Sequence, residues 1–139
     1  FSLMQQLTER GITVIVNLAP ILPFMNDDME NIQGLLSYCV KAGVYGILTD
    51  KMCPVLREGN RERFYQQLYK NFPDIYDRYE AVYADEKTLK TKNYTEIMAC
   101  IRETCEAHGI QYDKEELLRF TREYKNKTIG TQLSLFDMM

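Results

Sequence analysis

The stretch Gly11-Ile-Thr-Val-Ile-Val-Asn-Leu18 limits the possible folds of this chain more than any other segment. Residues 12–18 are nearly continuous β-branched and apolar sequence. Such a run suits a strand covered on both faces, as in a parallel sheet, better than a strand with one face in water. Pro20 and Pro23 end it, because proline has no N–H to give to a ladder. Asn26-Asp27-Asp28-Met29-Glu30 then reads as a helix start, with Asp27 and Glu30 in capping-box spacing and acidic residues in the first turn. Met29, Ile32, Leu35, Leu36, Cys39 and Val40 recur at helical spacing, and Gly43 closes the helix. Val44 to Leu48 is a second short strand. Strand, helix and strand with short connections form a βαβ unit, which makes the strands parallel and the crossover right-handed.

The rest of the chain reads as helical. Residues 3–9 resemble the last turns of a helix, with Gly11 at its C-terminus. Residues 49–59 form a loop. Asn60 is placed to cap a helix carrying Phe64, Leu68 and Phe72 on one stripe, and Pro73 breaks it. Ile75 to Ala84 is a tyrosine-rich helix. Asn93 with Glu96 opens a helix in which Tyr94, Ile97, Met98, Ile101 and Cys105 share a face, and Gly109 ends it. Asp113 with Glu116 opens a last helix over roughly 114–125. The fold class expected is α/β: a partial parallel (β/α) barrel in residues 1–58, a helical extension in 59–126, and a tail in 127–139. Two strands do not make an independent, doubly covered parallel sheet. The expectation is that the missing neighbours lie upstream of Phe1, and that the chain is the C-terminal part of a longer protein.

Composition narrows the function. The 139 residues carry a net charge of −3 and are 45% hydrophobic, which is ordinary for a folded domain and unlike a nucleic-acid-coating surface. No apolar run reaches the roughly 20 residues of a membrane span, and no secretory signal is visible. Cys39, Cys53, Cys100 and Cys105 lack C-x₂-C spacing, and the lone His108 does not complete a zinc site. Cys39 and Cys105 fall on apolar helix faces and read as buried thiols. These features lead us to expect a cytoplasmic chain. Tyrosines at 65, 69, 76, 79 and 83 share helix faces; packing with hydroxyls at the rim explains them better than base stacking, because the interleaved charges are mixed. Arg57 and Arg61 offer guanidinium forks for a carboxylate or phosphate, with plain solvation the simpler reading.

The segment from Gly11 to Asp27, with its Ala19-Pro20-Ile21-Leu22-Pro23 centre, resembles a late barrel strand of radical S-adenosylmethionine (SAM) proteins. Ala42-Gly43-Val44-Tyr45-Gly46, Leu56-Arg57-Glu58-Gly59-Asn60-Arg61 and Phe72-Pro73 are similar to the spore-photoproduct-lyase-like branch, of DNA-repair photolyase type. The resemblance runs over residues 3 to about 80 and more loosely beyond, carried by the order of several short motifs and by no single one. It implies a SAM cofactor and a [4Fe–4S] cluster. The family holds that cluster through C-x₃-C-x₂-C, whereas the cysteines here are spaced 14, 47 and 5 apart. The resemblance therefore puts the cluster, and catalysis, in an upstream half of the same protein, and leaves no metal ligand or catalytic residue in this chain. Ligands of parallel barrels sit at the C-terminal ends of strands. Asn17 and Ala19 lie at such an end and are the candidate SAM- or substrate-facing residues; Asn17 has the alternative of satisfying loop backbone. Cys53 lies in the next loop, and nothing in its spacing supports a hydrogen-donating role.

A separate signal lies in the tail. Gln132-Leu133-Ser134-Leu135-Phe136 is similar to the pentapeptide by which bacterial polymerases and repair proteins bind the sliding clamp, an extended peptide with a polar amide and a Leu-Phe pair for an apolar pocket. The candidate partner-binding residues are Gln132, Leu133, Leu135 and Phe136. The competing reading is a hydrophobic plug that docks on its own domain. Two other function classes stay open: a non-enzymatic α/β module presenting the clamp-binding tail, and a non-radical barrel enzyme.

Overall fold

A computed structural model describes residues 1–123. The order is α1 (Ser2–Glu9), β1 (Ile15–Asn17), α2 (Met29–Ala42), β2 (Gly46–Leu48), α3 (Asn60–Asn71), α4 (Pro73–Tyr83), α5 (Tyr94–His108) and α6 (Lys114–Arg122). Among the described residues β1 and β2 form one parallel two-stranded sheet, with Ile15 opposite Gly46, Val16 opposite Ile47 and Asn17 opposite Leu48. The βαβ unit expected from the sequence is present. None of the described helices is long and apolar enough to cross a membrane.

The first strand is shorter than the 12–18 run. Gly11 takes a left-handed conformation (φ +74°) and the Ile12 N–H donates to Leu7 O at 3.0 Å, so these residues finish α1. Pairing reaches one residue beyond β1 on each side, through Tyr45 N–H to Val14 O (2.9 Å) and Leu18 N–H to Leu48 O (2.8 Å). Burial is uneven. Ile47 of β2 is fully buried, whereas Ile15 and Val16 are half-buried and Asn17 is exposed. Coverage on both faces, expected for β1, is therefore not met among the described residues.

The far edge of β2 is closed. Gln111 bridges Gly46 in parallel, with Ile47 N–H donating to Gln111 O and Gln111 N–H to Tyr45 O, both at 2.9 Å. This close approach requires glycine at 46. A Cβ there would stand 2.3 Å from Leu117 Cδ2 and 3.0 Å from Gln111 O. The outer edge of β1 has no strand partner among the described residues.

Two apolar clusters fill the interior. The first joins β2 to α2 and α5 through Ile32, Leu36, Cys39, Ile47, Ile97, Ile101 and Cys105, with Ile110 beyond α5. Helices after residue 59 thus return to the sheet, and α5 packs on α2. The second cluster is Tyr65, Leu68, Tyr79, Tyr83 and Leu89, between α3 and α4. Each large side chain removed from water contributes about 1.5–3 kcal/mol. The hydroxyls of the three buried tyrosines are not at a rim. Tyr79 donates to Pro23 O (2.8 Å), Tyr83 to Lys90 O (2.6 Å) and Tyr65 to Tyr83 O (3.2 Å), so each buried hydroxyl has a carbonyl acceptor. Leu56 N–H to Lys87 O (2.7 Å) and Leu89 N–H to Pro54 O (2.8 Å) tie the loop after β2 to the segment after α4.

Three caps differ from expectation. Asp28, not Asp27, caps α2, accepting from Asn31 N–H at 2.8 Å. Gly59 precedes α3, with Asn60 already its first residue, and Asn93 stands before α5 without a side-chain cap. Asp27 and Asn93 are used instead in longer-range contacts, described below. Asp113 does cap α6, accepting from Glu116 N–H at 2.8 Å. Pro73 occupies the first turn of α4, where its missing N–H costs nothing.

Candidate functional site

The C-terminal ends of β1 and β2 lie side by side, because Asn17 and Leu48 are register partners. Beyond them the two loops stay together: Ile21 N–H donates to Met52 O at 2.8 Å. Asn17 is exposed at the end of β1. Ala19 is half-buried, in the loop that leads into Pro20. Leu18 between them is buried in the first cluster and anchors the loop. The fold therefore puts Asn17 and Ala19 at the strand end where parallel α/β folds bind ligands.

A cleft of about 400 Å³ opens at the end of β2. Thr49 forms its strand side. Tyr94, Thr95, Met98 and Arg102 of α5 form one wall, and Tyr112 closes the other. Among the described residues Arg102 makes no ion pair. The Tyr112 hydroxyl donates to Glu106 Oε1 at 2.9 Å, and that carboxylate raises the phenol pKa. An apolar wall with a guanidinium at the rim suits a ligand that joins an apolar body to an anionic group. Asn17 and Ala19 do not line this cleft, so the structure places the expected residues near it but not in it. Nearby, Lys114 Nζ lies 2.8 Å from Asp50 Oδ1. The hydrogen bond from Lys114 holds the Asp50 carboxyl below its ordinary pKa, and Asp50 in turn raises that of Lys114. This pair links the end of β2 to the start of α6.

A second, more polar recess of about 440 Å³ follows β1 and is lined by Phe24, Asp27, Asp28, Arg78, Lys92 and Asn93. Asp27 is its hub. It accepts from Phe24 N–H at 2.8 Å and from the Thr91 hydroxyl, and its carbonyl accepts from Asn93 Nδ2 at 3.2 Å. The Arg78 guanidinium sits over the Phe24 ring at 4.0 Å. These contacts fasten the loop after β1 to the start of α5. The spacing of Asp27 and Glu30 predicts a capping box, whereas the longer-range partner of Asp27, Thr91, carries no local sequence signal.

The remaining candidates fall into place as structure. Arg61 donates to Tyr83 O (3.0 Å) and Glu86 O (2.8 Å), so it holds the end of α4 and is not free for an anion. Arg57 is exposed. Burial raises the thiol pKa of Cys39 and pushes that of Cys105 up to about 11. Cys53 is half-buried, and burial raises its pKa as well. Iron ligation uses thiolates, and a thiol held protonated in an apolar core does not fit that task. Cys39 and Cys105 therefore do not fit a [4Fe–4S] cluster, and the four cysteines lack the C-x₃-C-x₂-C spacing. Gln132, Leu133, Leu135 and Phe136 lie outside the described residues. Comparison with protein-family models, with curated proteins and with solved structures finds no match.

Proposed function

We propose that this chain supplies the closing βαβ unit of a partial parallel (β/α) barrel of the radical SAM type, in the spore-photoproduct-lyase-like branch. The observation that carries the reading is the asymmetry of the sheet. The far edge of β2 is sealed by Gln111, whereas the outer edge of β1 has no partner among the described residues and its apolar side chains are only half-buried. Parallel strands are normally covered on both faces, and open edges of β-branched sequence invite pairing. A neighbouring strand on β1 would complete the arrangement, and β2 would be the last strand of an open barrel. In this reading the cluster belongs to upstream residues. Asn17 would present its amide to SAM or substrate from the end of β1, and Ala19 would leave room beside it.

The test uses protein expressed from the complete coding sequence, including whatever precedes Phe1, and reconstituted anaerobically with iron and sulfide. The expected result is a reduced-cluster resonance whose shape changes when SAM is added. Asn17→Ala should weaken that response about two- to tenfold, the range of one hydrogen bond. A protein that takes up no cluster, or whose cluster ignores SAM, would refute the assignment. The tail reading is tested separately, by binding of the complete protein to a bacterial sliding clamp. Loss of binding on deletion of 132–136 supports it, and unchanged binding removes it.

A further inference from the structure

One face of the tyrosine cluster is left in water. Along α3, Glu62, Tyr65, Gln66 and Tyr69 follow at i, i+3, i+4 and i+7, so they share a side of the helix. Tyr76 of α4 meets them, and Glu62, Tyr65, Gln66, Tyr69 and Tyr76 line an open recess of about 420 Å³. The rings stand as a corner. Tyr69 and Tyr76 have centroids 5.2 Å apart at 76°, and Tyr65 and Tyr76 6.1 Å apart at 85°. Tyr65 is buried and fixes the corner, whereas Tyr69 is 69% exposed. So large an exposed ring contributes little to packing where it stands. Among the described residues Glu62, Asp77 and Glu80 make no ion pair. The Tyr76 phenol pKa is raised by burial and then by Glu80 and Asp77, which marks the surroundings as negative. Arg61 lies over the Tyr65 ring at 5.1 Å but is tied to the end of α4 and does not line the recess.

We infer that this recess binds a quaternary ammonium group, with Tyr69 and Tyr76 as ring walls and Glu62 as the counter-charge. An aromatic face attracts a cation within about 6 Å of the ring centre. Alkylation removes the N–H groups that make an ordinary ammonium expensive to dehydrate, so a weakly hydrated head suits ring walls best. A nearby carboxylate adds Coulomb attraction without a hydrogen bond. Two perpendicular rings and one acidic side chain supply these elements. The group can come from a free choline-like molecule or from a trimethylated lysine side chain.

The test follows the Tyr69 and Tyr76 ring resonances of the full chain during titration. The probes are choline, its neutral isostere 3,3-dimethyl-1-butanol, and a short Gly/Ser peptide carrying either trimethyllysine or lysine. We expect at least one trimethylated probe to shift both rings at roughly millimolar concentration, with the isostere ineffective. Response to choline alone identifies a free ligand, and response to the trimethyllysine peptide alone identifies a modified protein. Tyr69→Ala should abolish the shift at Tyr76, Tyr69→Phe should keep it, and Glu62→Gln should weaken it about threefold or more. Tyr69 is exposed, so its variants test the site without unfolding the cluster. Equal shifts by choline and the isostere, no shift by either trimethylated probe, or full binding by Tyr69→Ala would each overturn the proposal.

Discussion

Tyr79 shows how single residues hold this chain together. Its ring is fully buried, and its hydroxyl reaches 56 residues back to the carbonyl of Pro23. Tyr79→Phe keeps the ring and removes the donor, leaving a buried acceptor unpaired. We expect a loss of about 1–2 kcal/mol in urea unfolding, and a loss below experimental error would show that water replaces the hydroxyl. Cys105 makes a second prediction. Burial lifts its pKa from 9.0 to about 11, so the folded state holds its proton where the unfolded state has lost it. The associated stability is complete below pH 9 and is lost as the pH rises toward about 11. The melting temperature should fall over that window, and Cys105→Ala should flatten the fall although it lowers the starting value. An equally steep fall in the variant would assign the effect to other groups.

At the scale of elements, the closure of the far edge of β2 by Gln111 and α6 rests on tight approach at Gly46. Gly46→Ala places a methyl group against Leu117 and the Gln111 carbonyl. Overpacking of this kind costs about 1–3 kcal/mol. Leu117→Ala in the same chain should recover part of the loss, because Leu117 Cδ2 is the nearest atom, while the Gln111 carbonyl still objects. Additive losses in the double variant, by calorimetry, would contradict this geometry. The helices themselves were legible, since α2, α5 and α6 each have an apolar stripe and a glycine or aspartate at an end. What was not legible is long-range. Asp27 and Asn93 have the spacing of caps, but Thr91 and the Asp27 carbonyl claim their side chains across more than 60 residues. Gln111 closes the sheet with backbone groups that every residue carries, so no side-chain pattern announces it. The cleft at Thr49 is likewise assembled from three separate segments. Only its strand side, at the end of an apolar run, could be placed from the sequence.

At the largest scale, the decisive property is a sheet that, among the described residues, is closed on one side and open on the other. Gln111 and α6 finish β2, while β1 keeps an unpaired edge among the described residues beside half-buried Ile15 and Val16. The order of motifs from Gly11 to Pro73 is what makes us propose a radical SAM identity for this barrel, and in that proposal the cluster would be held by residues other than the buried Cys39 and Cys105. The most direct measurement is product formation. Protein from the complete coding sequence, with its iron–sulfur content restored and dithionite as reductant, is incubated with SAM and assayed for 5′-deoxyadenosine and methionine. The account predicts both products, in amounts that depend on reductant and iron. Absence of 5′-deoxyadenosine from a protein loaded with a reducible cluster would contradict it.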